Sequence, residues 1–142
     1  MISVPFSSTT SEAPRYTREG DAGVDLCATC NMTLQPFERA LIPTGIKIAI
    51  PQGYAGFVLP RSGLAIKKGL SLVNSPGLID SNYRGEVQVI AINLDPQESI
   101  EISVGDRIAQ LVIVCSEEVA FVKQAQLDET QRGESGFGSS GV

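Results

Sequence analysis

The chain contains no histidine and no tryptophan, and only three of its 142 residues are cysteine. The absence of histidine excludes Ser-His and Cys-His nucleophilic catalysis, as well as zinc sites built with imidazole ligands. A general base must therefore be a carboxylate, lysine, tyrosine or cysteine. Long apolar runs are also missing, because no run approaches the roughly 20 residues that a membrane-spanning helix requires.

The three cysteines are Cys27, Cys30 and Cys115, an odd number that fits a reducing compartment better than a disulfide framework. Cys27 and Cys30 form a CxxC pair, but a tetrahedral zinc site would need more ligands than the one further cysteine supplies. Residues three apart on a strand also point to opposite faces. We interpret the cysteines as structural or incidental, with a redox pair as the alternative.

Basic residues are the minority among the charged ones, with 11 lysines and arginines against 16 aspartates and glutamates and a net charge of −5. This balance argues against nucleic-acid binding, which requires a basic face. It does not exclude a small anionic ligand, because a few cations at one cleft suffice, particularly beside a divalent metal ion. The N-terminal residues lack a basic region followed by an apolar stretch, so we expect no secretory signal and a cytoplasmic location.

Apolar and polar residues alternate with a period of two over much of the chain, and 142 residues indicate one domain. The pattern predicts short strands, broken by turn residues, at 41–50, 54–59, 70–73, 86–94, 99–102, 107–115 and 119–122. Such a series is typical of an all-β sandwich, barrel or jelly roll. The segment 62–68 is typical of a short helix, with Ser62 as its N-cap and Gly69 as the residue that ends it.

The segment 77–86 lies between two strand-like runs and reads as a glycine-bounded hairpin turn. It places Asp80 three residues before Tyr83. A carboxylate there can hold a water molecule while the ring packs against a flat or ring-shaped ligand. A polar hairpin loop without a chemical role is the alternative.

Three other segments place polar groups where a ligand can use them. The segment 21–26 offers two carboxylates around a glycine, either as a turn or for a hydrated cation. The segment 60–65 puts an arginine and a hydroxyl at a helix N-terminus, which suits an anion. The segment 105–111 carries Gln110, a neutral donor in an apolar run. Each of these, taken singly, is equally compatible with a structural role.

The tail 132–142 is rich in glycine and serine, which favours a flexible arm. It carries one arginine and one phenylalanine. A basic group and an aromatic ring on a mobile arm are suited to closing over a phosphate and a base.

Together and in this order, these segments resemble the five ordered motifs of the dUTPase family, the homotrimeric dUTP nucleotidohydrolases. The matching stretches are DAGVDLCA (21–28), PRSGLA (60–65), GLIDSNYRGE (77–86), GDRIAQLVI (105–113) and RGESGFGSSG (132–141). The resemblance implies an all-β, jelly-roll-like β-barrel of the dUTPase type over residues 1–124, with one short helix. It also implies a C-terminal arm over residues 125–142 that closes over a trimer active site, the arm of one subunit completing a site formed by two others.

The resemblance further implies a Mg²⁺-dependent dUTP diphosphatase that yields dUMP and pyrophosphate, limits uracil in DNA and supplies dUMP for thymidylate synthesis. Asp80 would be the general base for the water that attacks the α-phosphorus, and Asp25 would hold Mg²⁺ through water. Tyr83 would pack beneath the deoxyribose and exclude a ribose 2′-hydroxyl. The remaining implied substrate contacts are Asn74, Leu78 and Ile79 at the uracil, Arg61, Ser62, Gly63, Gln110, Arg132, Ser139 and Ser140 at the phosphates, and Phe137 stacked on the base. Ser135 stands where the family usually has glycine.

Two alternatives to a dUTPase remain at this point. One is a dCTP deaminase, whose family shares the fold but uses a glutamate in place of the hairpin aspartate chemistry and lacks the arginine and phenylalanine of the tail. Asp80 and Phe137 therefore discriminate against it. The other is an inactive dUTPase-like module that binds nucleotide or protein partners for regulation.

Overall fold

The computed structural model describes residues 1–10 and 13–135. In that part of the chain the predicted all-β architecture with one short helix is confirmed. The elements are β1 (Phe6–Ser8), β2 (Val24–Cys27), β3 (Met32–Leu34), β4 (Arg39–Ile48), β5 (Tyr54–Pro60), α1 (Ser62–Lys68), β6 (Leu70–Leu72), β7 (Gly77–Ile79), β8 (Glu86–Asn93), β9 (Ile100–Ile102) and β10 (Arg107–Cys115). No helix among these described residues is long and apolar enough to cross a membrane.

The strands form two four-stranded sheets and a two-stranded ribbon, all with antiparallel pairing. We call them the β4 sheet, with strand order β1-β4-β8-β6, and the β5 sheet, with order β2-β10-β5-β7. The ribbon pairs β3 with β9. Neighbouring strands are mostly distant in sequence, which is typical of jelly-roll connections rather than of a simple meander.

The inward faces of the sheets form one hydrophobic core. In β8 the buried residues are Val87, Val89, Ala91 and Asn93, at every second position, as the period-two pattern predicts. Full burial of an aliphatic side chain such as Val89 stabilises the fold by about 1.5–3 kcal/mol. The largest side chains buried in this core are Leu26, Leu34, Ile42, Ile108, Val87 and Val89.

Helix α1 has the predicted bounds and the predicted end. Gly69 adopts a left-handed conformation, with φ of 68°, and its N–H donates to Ala65 O. The prediction that Ser62 is the N-cap is wrong, because Arg61 occupies that position without a side-chain cap hydrogen bond. Arg61 continues the extended path of β5 with φ of −89° and ψ of 123°, so the helix begins at Ser62, one residue earlier than a Ser62 cap would require.

The hairpin between β6 and β8 is confirmed, with Leu72 paired to Ala91. Its connection is more than a turn, because residues 77–79 form β7 and pair with β5 in the other sheet. Ile79 is buried in the core, which fixes this strand. The chain therefore leaves the β4 sheet after β6, contributes an edge strand to the β5 sheet and returns as β8.

The predicted strand at 119–122 is wrong, since these residues have no strand pairing. The side chains of Val119, Phe121 and Val122 are exposed at 64%, 96% and 76%. Alternation makes a strand only where a partner strand and a buried face are available. The described part of the chain supplies neither to this segment.

Candidate active site

A cavity of about 240 Å³ lies where the two sheets meet at the β6–β8 connection. Five residues predicted from the sequence line it together: Asn74, Leu78, Ile79, Asp80 and Tyr83. Ligand pockets for drug-sized molecules measure about 300–1,000 Å³, so this one suits a base and part of a sugar rather than a whole nucleotide. Its walls are largely apolar, with a few polar groups at the mouth.

The close approach of β7 to its neighbours depends on Gly77. A Cβ at this position would lie 3.2 Å from Asn74 Nδ2 and 3.3 Å from Val58 Cβ. Because β7 is the edge strand of the β5 sheet, one side of its backbone is not used by the sheet. The N–H and C=O groups on that side are therefore available to a ligand.

The ring of Tyr83 has a fixed position beside the cavity. Its hydroxyl donates a hydrogen bond of 2.9 Å to Glu86 O. Its backbone N–H donates to Asp80 O at 3.1 Å, which closes the turn after β7. A Cβ on Gly85 would overlap the phenol, so this ring position requires glycine there.

Asp80 lies at the end of β7, exposed at the mouth of the cavity. It also borders a second, wider groove of about 970 Å³, which Tyr54 and Arg84 line. The Arg84 guanidinium is tied locally, because Nη1 donates to Ser81 O and to Tyr83 O at 2.7 Å each. Asp80 is thus open on two sides, toward the cavity and toward the groove.

A second cluster forms around Asp25 on β2. Its Oδ1 lies 2.9 Å from Arg61 Nε, and its Oδ2 lies 3.3 Å from Arg107 Nη1. Arg61 Nε and Asp25 Oδ1 are buried and lack an aligned hydrogen bond despite this distance, so the contact is an ion pair. Gln110 pairs with Asp25 across the β10–β2 ladder. Ser62 and Gly63 follow Arg61 as exposed residues in the first turn of α1, where backbone N–H groups have no intrahelical acceptor.

The cavity and the Asp25 cluster lie far apart within one chain. Asp80 follows Ile79, which pairs with Gly56, whereas Gln110 pairs with Leu59. At about 3.3 Å per residue, the offset along β5 is about 13 Å. Strand β2 also lies three positions from β7, which adds about 14 Å across the sheet. Contacts in catalysis are about 2.6–3.2 Å long, so one chain does not bring both groups to one reacting atom.

Of the predicted arm residues, Arg132 lies in the described part of the chain and joins neither group. Arg132 is exposed, and its Nε donates to Ser135 O at 2.9 Å within a local turn. Phe137, Ser139 and Ser140 lie outside the described residues. Phe37 is the one non-glycine residue with a positive φ in the described ranges, so Ser135 does not adopt that conformation.

Two site neighbours were not singled out from the sequence. Arg107 is the second cation on Asp25, and Glu86 both accepts the Tyr83 hydroxyl and lines the cavity. Both residues fall inside the motif stretches quoted above. Their partners lie on other elements, so the sequence alone does not indicate these contacts.

No group of three or more Cys, Asp or Glu side chains in residues 1–10 and 13–135 is placed to hold a metal ion. Asp25 is a single carboxylate already engaged with two guanidinium groups. Mg²⁺ commonly keeps several waters and binds through one or two carboxylates plus substrate phosphates. The residues present therefore fit an ion held mainly by a polyphosphate rather than by protein ligands.

Comparison with known proteins gives a consistent result. The dUTPase family model matches residues 9–141. The Deoxyuridine 5'-triphosphate nucleotidohydrolase of Cutibacterium acnes is 49% identical over 141 residues, covering 99% of this chain and 93% of the relative. That of Nocardia farcinica is 56% identical over 128 residues, covering 90% and 78%. Among solved structures, the Staphylococcus bacteriophage 80alpha dUTPase, as a G164S mutant with dUpNHpp, is 28% identical with a TM-score of 0.91 over 100% of both chains.

The structural similarity spans both sheets and confirms the jelly-roll-like fold of the dUTPase type. The sequence similarity covers all five motif stretches. This chain belongs to the dUTPase family.

Proposed function

We propose that this chain acts as a dUTP diphosphatase in which the 240 Å³ cavity binds the nucleoside and Asp80 activates the attacking water. The observation that carries the proposal is the position of Asp80 at the mouth of a cavity that Asn74 and Tyr83 also line. Family membership supports dUTP as the substrate. The bacteriophage 80alpha relative, solved with the dUTP analogue dUpNHpp, supports the same nucleotide class.

The base is read by the free backbone edge of β7, with Leu78 and Ile79 as apolar walls and Asn74 at the side. Uracil presents two carbonyl oxygens and one N–H, which match alternate N–H donors and C=O acceptors of an extended strand. Cytosine would leave an acceptor and an amino group facing the wrong partners. A site built on hydrogen bonds rejects such mismatches by factors of about 10⁴–10⁵.

Tyr83 selects the sugar. Its ring is held beside the cavity by Glu86 O and by the absence of a side chain at Gly85. A deoxyribose packed on this ring leaves no space for a 2′-hydroxyl. UTP is thus excluded by contact rather than by charge.

The reaction places charge on a triphosphate that is already negative. Asp80 accepts the proton of a water molecule, which attacks the α-phosphorus and releases pyrophosphate. Arg61 and the N–H groups of Ser62 and Gly63 neutralise the phosphates, and Gln110 donates to phosphate and water. Asp25 would hold Mg²⁺ through water beside the phosphates, where the ion would supply further charge neutralisation.

We further propose that the active site is shared between subunits of a homotrimer. The distance between Asp80 and the Asp25 cluster supports this, because the two groups meet only if a second copy presents its cluster to the first copy's cavity. The wide groove beside Asp80 has room for that approach. The arm over residues 125–142 closes the site, with Arg132, Ser139 and Ser140 on phosphate and Phe137 on uracil.

The direct test is a substrate panel of dUTP, dCTP, dTTP and UTP with Mg²⁺, in which pyrophosphate and ammonia are both measured. Pyrophosphate release from dUTP alone is expected. Ammonia release from dCTP would identify a deaminase, and no product from any substrate would identify an inactive binding module. Either outcome would refute the proposal.

A further inference from the structure

The Tyr83 hydroxyl is hydrogen-bonded to the backbone of Glu86, and the side chain of Glu86 is hydrogen-bonded to another strand. Glu86 Oε1 accepts a hydrogen bond of 2.7 Å from the Gly45 N–H on β4. Its own carbonyl oxygen accepts the Tyr83 hydroxyl at 2.9 Å. Glu86 therefore links the Tyr83 ring to the neighbouring strand by two hydrogen bonds that leave the same residue. We call this arrangement the Glu86 link.

The β4 end of the Glu86 link is itself fixed. The β4–β8 ladder shifts register between Pro43 and Ile46, which forms a bulge, and Gly45 in this bulge has φ of 72°. Thr44 is 2% exposed, and its hydroxyl donates to Val87 O, the residue after Glu86. A Cβ on Gly45 would overlap Thr9 Oγ1. The buried Thr44 on one side and Thr9 on the other thus hold the Gly45 N–H where the carboxylate meets it.

The Tyr83 end is held by contacts of two kinds. The ring is 44% exposed, and the backbone of its turn is held by the bond from Tyr83 N–H to Asp80 O and by Arg84 Nη1, which donates to Tyr83 O. The bond that holds the ring itself is the one from its hydroxyl to Glu86 O. Glu86 is the first residue of β8, where a strand end frays unless a side chain or neighbour holds it. The carboxylate bond to Gly45 adds a side-chain contact to the ladder pairing of Glu86 with Lys47 at this strand end.

We propose that Glu86 is a positioning residue that fixes the Tyr83 ring and thereby sets discrimination between deoxyribose and ribose. The inference rests on the proposed placement of the sugar against Tyr83. Steric exclusion of the 2′-hydroxyl requires a rigidly held Tyr83 ring. A ring displaced by a fraction of an ångström would leave space for the extra oxygen. Glu86 supplies that rigidity from outside the sugar site, through its backbone and its carboxylate.

Two conservative variants separate the effect of side-chain length from the effect of charge at Glu86. Glu86→Gln keeps the length of the side chain and an oxygen that accepts from Gly45, but removes the charge. Glu86→Asp keeps the charge, but its carboxylate is one methylene too short for the 2.7 Å contact. Glu101→Asp is the matched control, since Glu101 is an exposed residue of the β3–β9 ribbon away from the cavity.

The measurement is kcat and KM for dUTP and for UTP with each variant, alongside its Tm. For Glu86→Asp we expect the ratio of kcat/KM for dUTP over UTP to fall by at least about tenfold, mainly through a lower KM for UTP. For Glu86→Gln and Glu101→Asp we expect a ratio within about threefold of the wild type. The effect of Glu86→Asp is also expected to shrink in a Tyr83→Phe background, since the hydroxyl bond is then already lost.

An equal loss of kcat/KM on both nucleotides would assign Glu86 a structural role and overturn the proposal. An unchanged ratio in Glu86→Asp, or an equal fall in Glu86→Gln, would also overturn it. A wild-type protein that fails to hydrolyse dUTP or does not prefer it to UTP would refute the proposed function itself. A wild type that prefers dUTP, with a Glu86→Asp variant that keeps the preference, would refute only the role of Glu86.

Discussion

Arg61 Nε lies 2.9 Å from Asp25 Oδ1, so the cation proposed for the phosphates and the carboxylate proposed for Mg²⁺ are paired with each other. Their charges compensate, which keeps both side chains in place at a partly buried position. In the proposed complex, a Mg²⁺–triphosphate would offer each of them a partner of opposite charge. The charge of each side chain would then remain compensated when the pair separates.

Replacing the carboxylate tests this exchange. In Asp25→Asn we expect the Mg²⁺ concentration for half-maximal activity to rise about tenfold or more, because the amide does not attract a hydrated cation. A Mg²⁺ titration of dUTP hydrolysis measures it. Asp21→Asn is the matched control, because Asp21 belongs to the same motif but is exposed and accepts from Arg18 N–H. Equal Mg²⁺ dependence in both variants would contradict the role of Asp25.

Loss of the base should abolish turnover without loss of binding. Asp80→Asn keeps the shape of the side chain, so we expect kcat to fall by about 10²–10⁴ or more while the dissociation constant for dUTP stays near the wild-type value. Single-turnover hydrolysis and calorimetric titration with dUTP separate the two quantities. Glu98→Gln, at an exposed residue that lines neither the cavity nor the Asp25 cluster, should leave kcat unchanged. A near-native kcat in Asp80→Asn would remove Asp80 as the base.

Shared sites predict rescue between two defective chains. An Asp80→Asn chain and a chain truncated before Arg132 should each be inactive alone, because one lacks the base and the other lacks the arm. Mixed trimers should regain part of the activity, since some sites then combine an intact Asp80 with an intact arm. Differently tagged chains, copurified after refolding together, confirm the mixing. Mixed trimers with no activity above either parent would contradict site sharing.

Asn93 is expected to matter for stability rather than for catalysis. It is fully buried, and its Nδ2 donates to Leu34 O at 3.0 Å and to Glu98 O at 2.8 Å. Its Oδ1 accepts from Asp95 N–H. Asn93→Ala leaves these groups unpaired, so we expect the free energy of unfolding to fall by about 2–5 kcal/mol.

Urea unfolding at a fixed protein concentration measures the change in Asn93→Ala. Asn31→Ala is the matched control, because the exposed Asn31 accepts one hydrogen bond, from Val104 N–H. Its loss should cost about 0.5–1.5 kcal/mol. Equal losses in the two variants would show that burial of the Asn93 amide contributes nothing.

Asp95 makes the stability of the fold depend on pH. Hydrogen bonds from the backbone N–H groups of Glu98 and then Gln97 lower the pKa of this carboxyl below its usual value. A depressed folded-state pKa adds stability above the unfolded pKa, near 3.9 for Asp, and this stability is lost as pH falls through the folded value. The Tm difference between wild type and Asp95→Asn should therefore shrink as pH falls below about 4. A difference constant from pH 7 to pH 2.5 would contradict it.

Sequence reasoning succeeded where the signal was local. The end of helix α1 is predictable because Gly69 readily adopts the left-handed conformation that ends a helix. Asp80 and Tyr83 were grouped because they share one turn. The strand at 77–79 was missed, since its partner β5 lies some 20 residues upstream and Gly77 offers no side-chain pattern.

The Asp25 cluster depends on the order of strands in the sheet, which the alternation of apolar and polar residues does not predict. Arg107 is 82 residues from Asp25, and the two meet because β10 pairs with β2. The same limit explains the wrong strand at 119–122. Alternation indicates which face of a segment can be buried. Whether a partner strand covers that face depends on how the rest of the chain folds.

The separation of Asp80 from the Asp25 cluster by about 13 Å along and 14 Å across the β5 sheet has a consequence for the proposed enzyme at low abundance. If each site needs more than one chain, the number of working sites follows mass action and not the number of folded chains. Specific activity should then decline on dilution once subunits dissociate. Cellular dUTP hydrolysis would respond more steeply than linearly to the amount of protein made.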